Sequence, residues 1–228
     1  MTGASSLLVV APHPDDETLG PGGTLLRRAD EGWRLHWLIV TSSDDYPGFD
    51  AADRERRQRE IELVEKLYDF ETVTALGFPT SALDTIAEST LHDAIDEVMR
   101  RTQPHDVLLP FHGDPHSDHR IVFRIGWSCC KTFRAPFVRR VFMYDTPSET
   151  DYAVYGAPFR ANYLVDISGY LDKKIEVMST YQSEMRPHPF PRSAENLRAR
   201  AIHYGATAGC DAAEGFMLVQ SVERKAPA

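Results

Sequence analysis

The sequence has only three cysteines, and they outline no disulfide framework: Cys129 and Cys130 are adjacent and Cys210 stands far away. An odd, unevenly spaced set is expected of a protein kept in a reducing compartment. Long apolar runs are missing too. The first one, residues 7–11, follows Met1-Thr2-Gly3-Ala4-Ser5-Ser6, which has no basic residue. It is too short for a secretory signal or a membrane span, so a cytoplasmic location is expected. Nor is there a surplus of positive charge. The formal net charge is −9 and the isoelectric point about 5.5, which disfavours a broad nucleic-acid surface. The densest basic stretch, Arg54, Arg56, Arg57 and Arg59, is interleaved with Asp53, Glu55, Glu60 and Glu62, the pattern of a solvated helix face. Internal repeats and low-complexity blocks are also lacking.

What is present is an alternation. Hydrophobic residues make up 42% of the 228, enough for the core of one α/β domain spanning 1–228. Apolar runs at 7–11, 35–41, 73–76 and 107–110 read as strands. Between them, 22–31, 54–68 and 90–101 read as helices, the second with Ile61, Val64, Leu67 and Tyr68 on one face and the third capped at Ser89 or Thr90. This βαβαβαβ order predicts a mostly parallel sheet covered by helices. A helix at 120–133, a strand at 141–144, an irregular stretch at 146–161, a strand at 163–166, two helices and a strand at 216–221 complete the chain. The linker between the last two helices, Arg186-Pro187-His188-Pro189-Phe190-Pro191-Arg192, is stiffened by its prolines, and such a loop reads equally well as a substrate contact or a plain connection.

Two polar clusters stand out because both follow strands. Ligands of open parallel sheets bind at the carboxyl ends of the strands. Pro12-His13-Pro14-Asp15-Asp16-Glu17 follows the first strand, and three acids and a histidine this close need either solvent or a cation among them. His112-Gly113-Asp114-Pro115-His116-Ser117-Asp118-His119 follows the fourth. Two histidines and a carboxylate with an open fourth position form a hydrolytic zinc site, and Fe2+ suits the same donors. The glycines at 20, 22 and 23 do not complete a dinucleotide fingerprint, since position 25 is Leu, and the acids before them would repel a pyrophosphate.

Pro12-His13-Pro14-Asp15-Asp16-Glu17 together with His116-Ser117-Asp118-His119 resembles the PIG-L/LmbE-like family of zinc-dependent N-deacetylases. The likeness extends through Tyr163-Leu164-Val165-Asp166-Ile167-Ser168, Lys173-Lys174, Tyr181-Gln182-Ser183-Glu184 and Glu214-Gly215-Phe216. It implies a Rossmann-like three-layer α/β fold and removal of an acetyl group from an N-acetylglucosamine-type amino sugar. It implies His13, Asp16 and His119 as Zn2+ ligands, Asp15 as general base, His116 as oxyanion stabiliser or general acid, and Asp118 as its companion, orienting an imidazole and favouring its charged form. Arg57 and Glu60 sit at a spacing similar to the family's R-x-x-E, so Arg57 is a candidate substrate contact as well as an i,i+3 ion-pair partner. Thr41 at the end of the second strand, and Arg186 and Arg192 in the proline-rich loop, are further candidates, the two arginines for an anionic aglycone. Gly215 and Glu184 depart from the residues many members carry, which implies a shifted pocket. The expected partner is a small amino sugar, with no nucleic acid and no membrane span, and a homo-oligomer is expected. The rival classes are a non-haem Fe(II) oxygenase, whose chemistry usually sits on a β-rich scaffold, and a non-catalytic metal- and carbohydrate-binding protein. Glu17 is left without a role.

Overall fold

The structure is a computed structural model, and it describes residues 5–44 and 46–224. The start at Met1–Ala4, on which the leader expectation partly rests, lies outside them. A seven-stranded sheet runs in the order β3-β2-β1-β4-β5-β7-β6, built from β1 (Ser6–Ala11), β2 (Arg34–Ser42), β3 (Thr72–Pro79), β4 (Asp106–Pro110), β5 (Arg140–Tyr144), β6 (Tyr163–Asp166) and β7 (Ala213–Ser221). The first five strands pair in parallel; β7 is antiparallel to both β5 and β6. The mostly parallel sheet expected from the βα alternation is therefore present, closed at one side by an antiparallel return.

Every residue of β1 is buried. This is why its sequence is continuously apolar rather than alternating. Leu7, Val9 and Ala11 join one core with Leu25, Val64, Tyr68, Val177 and Leu197. These come from α2 (Gly22–Asp30), α3 (Ala51–Tyr68), α6 (Leu171–Met178) and α7 (Ala194–Ala208). Leu8 and Val10 face the opposite core with Leu91, Ile95, Val122 and Ile125, from α4 (Glu88–Thr102) and α5 (Ser117–Cys129). Helix, sheet and helix make three layers, and each fully buried Leu or Val contributes roughly 1.5–3 kcal/mol to holding them.

Several local expectations are corrected. A short helix not indicated by the apolar pattern, α1 (Asp16–Leu19), begins within the first polar cluster; the prolines at 12 and 14 exclude helix only up to Asp15. Helix α4 starts at Glu88 with Ala87 as its cap residue and no side-chain cap bond, so Ser89 and Thr90 lie inside its first turn. Helix α5 begins three residues earlier than the apolar pattern indicates, at Ser117, with His116 as its cap. The polar first turn hides that start from a hydrophobic-period reading, and the shift places Asp118 and His119 on the helix itself. Helix α3 begins in an acid-capped turn: the Asp50 carboxylate accepts from the Asp53 N–H at 2.9 Å and the Asp53 carboxylate from the Asp50 N–H at 3.2 Å. All three cysteines are free, and burial pushes the Cys129 thiol up to about 12. Among the described residues no helix is long and apolar enough to cross a membrane.

Candidate active site

Strands β1 and β4 are neighbours from which the chain departs in opposite directions across the sheet. This is the switch point at which such sheets leave a crevice beyond the strand ends. The two polar clusters occupy it. The His13 ring Nδ1 lies 3.2 Å from Asp16 Oδ2, and the His119 Nε2 lies 3.4 Å from the same oxygen; donor atoms of the three residues all fall within 4.8 Å of one another. A tetrahedral ion with bonds of about 2.0–2.1 Å holds its donors about 3.3 Å apart, so this trio fits one. The back of each imidazole is also held. His119 Nδ1 donates to Asp114 at 2.8 Å, and Asp114 in turn accepts from the Thr150 hydroxyl at 2.8 Å. His13 Nε2 donates to Asp118 at 3.1 Å. Such carboxylate partners fix the ring that presents its other nitrogen to a metal.

The electrostatics agree with a cation-binding floor. Burial opposes charge on His13, yet hydrogen bonds to Asp118 and Asp16 outweigh it and raise the imidazole to about 9. Burial likewise opposes charge on His119, and the charge of Asp16 with the hydrogen bond to Asp114 raises it to about 10. For Asp16 burial favours the neutral acid, but the two histidines overcome it and hold the carboxyl well below its usual range. The imidazoles gather protons here because buried carboxylates call for positive charge, which a metal ion would supply instead.

Asp15 is the cap residue of α1 and has φ 136°, a region that non-glycine residues rarely enter and that costs of order 1–3 kcal/mol. Glu17 holds it there. This fully buried carboxylate accepts from the Asp15 N–H at 3.0 Å, from the Thr18 hydroxyl at 2.6 Å and from the Tyr181 hydroxyl at 2.8 Å, and burial pushes it up to about 7. The residue without a derivable role in the sequence is thus the support of its strained neighbour. Burial also raises the Asp15 carboxyl, against the opposing charge of Arg192.

Three comparisons bear on this site. The family profile described as PIG-L, GlcNAc-PI de-N-acetylase, matches residues 8–130. That is more than half of the chain and takes in both clusters. The chain belongs to this family. A diacetylchitobiose deacetylase from Thermococcus kodakarensis is 27% identical over 95% of this chain and 84% of its own. Among solved structures, the conserved protein TT1542 from Thermus thermophilus superposes with a TM-score of 0.78 at 28% identity, covering 96% of each chain. The 4-carboxy-2-hydroxymuconate hydratase GalB from Pseudomonas putida reaches a TM-score of 0.76 at 18% identity, covering 98% of this chain and 100% of its own. That last likeness shows the fold alone, and a shared fold leaves the reaction open.

Of the later segments that carry the resemblance, Ser183 and Glu184 line the cavity, while Lys174 and Glu214 fall behind the site. The Lys174 ammonium is buried and donates to Glu214 at 2.7 Å and to the carbonyls of Leu19 and Gly20 at 3.0 and 2.8 Å. Glu214 accepts from the N–H groups of Gly23 and Thr24 at 2.8 and 2.7 Å. The late lysine and glutamate therefore brace the turn that carries the first cluster. Gly215 lies away from the site: a Cβ there would come within 2.7 Å of the Tyr204 ring. That packing accounts for a glycine at 215, whereas Glu184, the other departure, lines the cavity.

Above the floor opens a cavity of about 330 Å3, lined in part by His13, Asp15, His116, His119, Arg57 and Arg192. Arg192 Nη1 donates to Asp15 at 2.7 Å and to Glu184 at 2.8 Å, and its Nε donates to the Ser148 hydroxyl at 2.8 Å. Arg57 donates to Glu184 at 2.5 Å, to Ser183 at 3.1 Å and to the Pro14 carbonyl at 3.0 Å, and its Nε lies 3.5 Å from Glu60. Both readings of Arg57, pocket wall and i,i+3 pair, describe the same side chain.

Three expectations do not match this geometry. The Asp118 carboxylate serves His13 and the Ser81 N–H at 2.7 Å, and lies 4.0 Å from His116, so it is not the partner of that imidazole. His116 Nδ1 instead accepts from the Asp118 N–H at 3.2 Å. Burial, then the neighbouring His13 and His119, lower His116 to about 4, leaving a neutral ring with its proton on Nε2. Thr41 is buried and donates to the Pro12 carbonyl at 2.8 Å, bracing the loop from behind without lining the cavity. Arg186 is exposed, stacks on Phe190 at 5.2 Å and stays out of the cavity. The sequence reading also missed Asp114 and Glu149. Asp114 had a signal, being an acid in the same strand-end cluster; Glu149, a lone acid in an irregular stretch that now lines the cavity, had none.

Proposed function

We propose that the protein hydrolyses the N-acetyl group of an N-acetylglucosamine-type sugar, using one metal ion held by His13, Asp16 and His119. The observation that carries this reading is the convergence of those three donor groups at the base of a cavity that His13 and His119 line together with Asp15 and His116. The family and the Thermococcus deacetylase support the substrate class. Zn2+ fits the donor set, and Fe2+ suits the same residues. When bound, the ion polarises the amide carbonyl and makes water a better nucleophile near neutral pH.

The chain supplies the proton handling. Asp15 takes a proton from the attacking water, its backbone fixed by Glu17. The neutral His116 donates from Nε2 to the carbonyl oxygen as negative charge develops there. As the C–N bond breaks, Asp15 returns its proton to the leaving nitrogen, giving acetate and a free amine. Asp118 and Asp114 hold the His13 and His119 rings. Residues 131–224 lie beyond the profile match yet provide Glu149, Glu184 and Arg192 to the cavity, so the whole chain is read as one catalytic domain.

The test is incubation of the metal-loaded protein with free, glycosidic, nucleotide-linked and lipid-linked N-acetylglucosamine, measuring acetate and free amine. Release that vanishes with chelator and in Asp15→Ala supports the reading. A protein that binds one equivalent of metal and these sugars, yet releases acetate from none, is instead a non-catalytic binding protein.

A further inference from the structure

The outer cavity has an unusual charge arrangement. Its two arginines are already committed: Arg192 to Asp15 and Glu184, and Arg57 to Glu184 and, more loosely, Glu60. Arg186, the third cation of the neighbourhood, lies outside. Glu149 also lines the cavity, facing His119 and Arg192, yet among the described residues its carboxylate forms no ion pair within 4.0 Å and no hydrogen bond. Near the mouth, Tyr46 and Phe49 line the same cavity, Tyr46 half exposed. Aromatic faces with one spare carboxylate acceptor suit the C–H faces and hydroxyls of a sugar ring. They offer a phosphate no uncommitted donor of positive charge, and a carboxylate to repel it.

We propose that the outer cavity admits an uncharged or amine-bearing saccharide attached to the acylated sugar and discriminates against a phosphate-bearing one, with Glu149 as the residue that reads the charge. This rests on the deacetylase reading for its substrates and replaces the expectation that Arg186 and Arg192 bind an anionic aglycone.

The test compares kcat/KM of the metal-loaded protein for N,N'-diacetylchitobiose and for N-acetylglucosamine 1-phosphate, in the native chain and in Glu149→Gln, at low and high salt. A preference of about tenfold or more for the uncharged substrate is expected, narrowing about threefold in Glu149→Gln and shrinking with salt, because screening weakens exposed charge repulsion. Equal or better use of the phosphate substrate overturns the proposal. So does a preference that neither the substitution nor salt alters, since shape would then set it. A second readout keeps the two claims separable. Calorimetry with the amine products, chitobiose against glucosamine 1-phosphate, is run on the metal-loaded protein with inorganic phosphate as the control for direct binding at the metal. If no acetate is released from any sugar, the deacetylase reading fails. Tighter binding of chitobiose then still supports the charge preference, and tighter binding of the phosphate overturns it.

Discussion

The floor of the cavity takes His13, Asp15 and Asp16 from the turn after β1 and the start of α1, and His116 and His119 from the cap and first turn of α5 after β4. Its rim takes Tyr46 and Phe49, Arg57, Glu149, and Glu184 with Arg192 from four separate stretches. The floor is rigid by construction: β1 is buried throughout, and Glu17, Asp114, Lys174 and Glu214 hold its turns from behind. The rim is held by ion pairs between side chains that reach across the opening. On the proposed reading, chemistry sits on the floor that is braced from behind, and recognition on the rim, whose side chains can be exchanged without disturbing that bracing.

Substitutions sharpen that division. The largest effect belongs to Asp15→Asn, which removes the proton acceptor and leaves the metal donors in place. Steady-state kinetics should show kcat lower by about 10²–10⁴-fold, with metal content by elemental analysis unchanged; loss of metal with it would make Asp15 a ligand. Next comes Asp114→Asn, which takes the carboxylate from behind His119. Metal affinity, followed by competition with a chelator, should weaken about 10–100-fold, and rescue of activity by added metal would separate this from damage to the chemistry. On the rim, Arg192→Ala should raise KM roughly tenfold, about 1.4 kcal/mol, because Asp15 and Glu184 lose the cation that orders that side of the opening, with a smaller change in kcat. A kcat loss as deep as that of Asp15→Asn would move Arg192 from rim to floor. The smallest effect is expected of Arg186→Ala, less than about twofold on either constant, since it is an exposed side chain away from the cavity; a rise in KM like that of Arg192→Ala would bring the proline-rich loop over the substrate.

Most of the floor was legible because its signals are local. Consecutive polar residues after an apolar run mark a strand end, and ligand spacing within a turn is visible in the chain. The role of Asp118 was misread because proximity in sequence to His116 and His119 suggested that it serves one of them, whereas the folded turn aims its carboxylate across the crevice at His13, 105 residues away. The support of Asp15 by Glu17 was invisible for the opposite reason: the two are nearly adjacent, but only a positive φ brings the carboxylate beneath its neighbour's N–H.

The sequence by itself determined the alternating α/β architecture, since periodicity and strand-end punctuation follow from how side chains alternate on strands and recur on helices. It also determined which residues are chemically able to hold a metal. Only the tertiary structure decided which ring nitrogen faces the shared Asp16, which carboxylates stand behind the histidines, and that Arg57 and Arg192 are spent on internal acids while Glu149 is left open to the cavity. Those are matters of distances between segments far apart in the chain, set by the packing of helices on both faces of the sheet, and no local pattern encodes them.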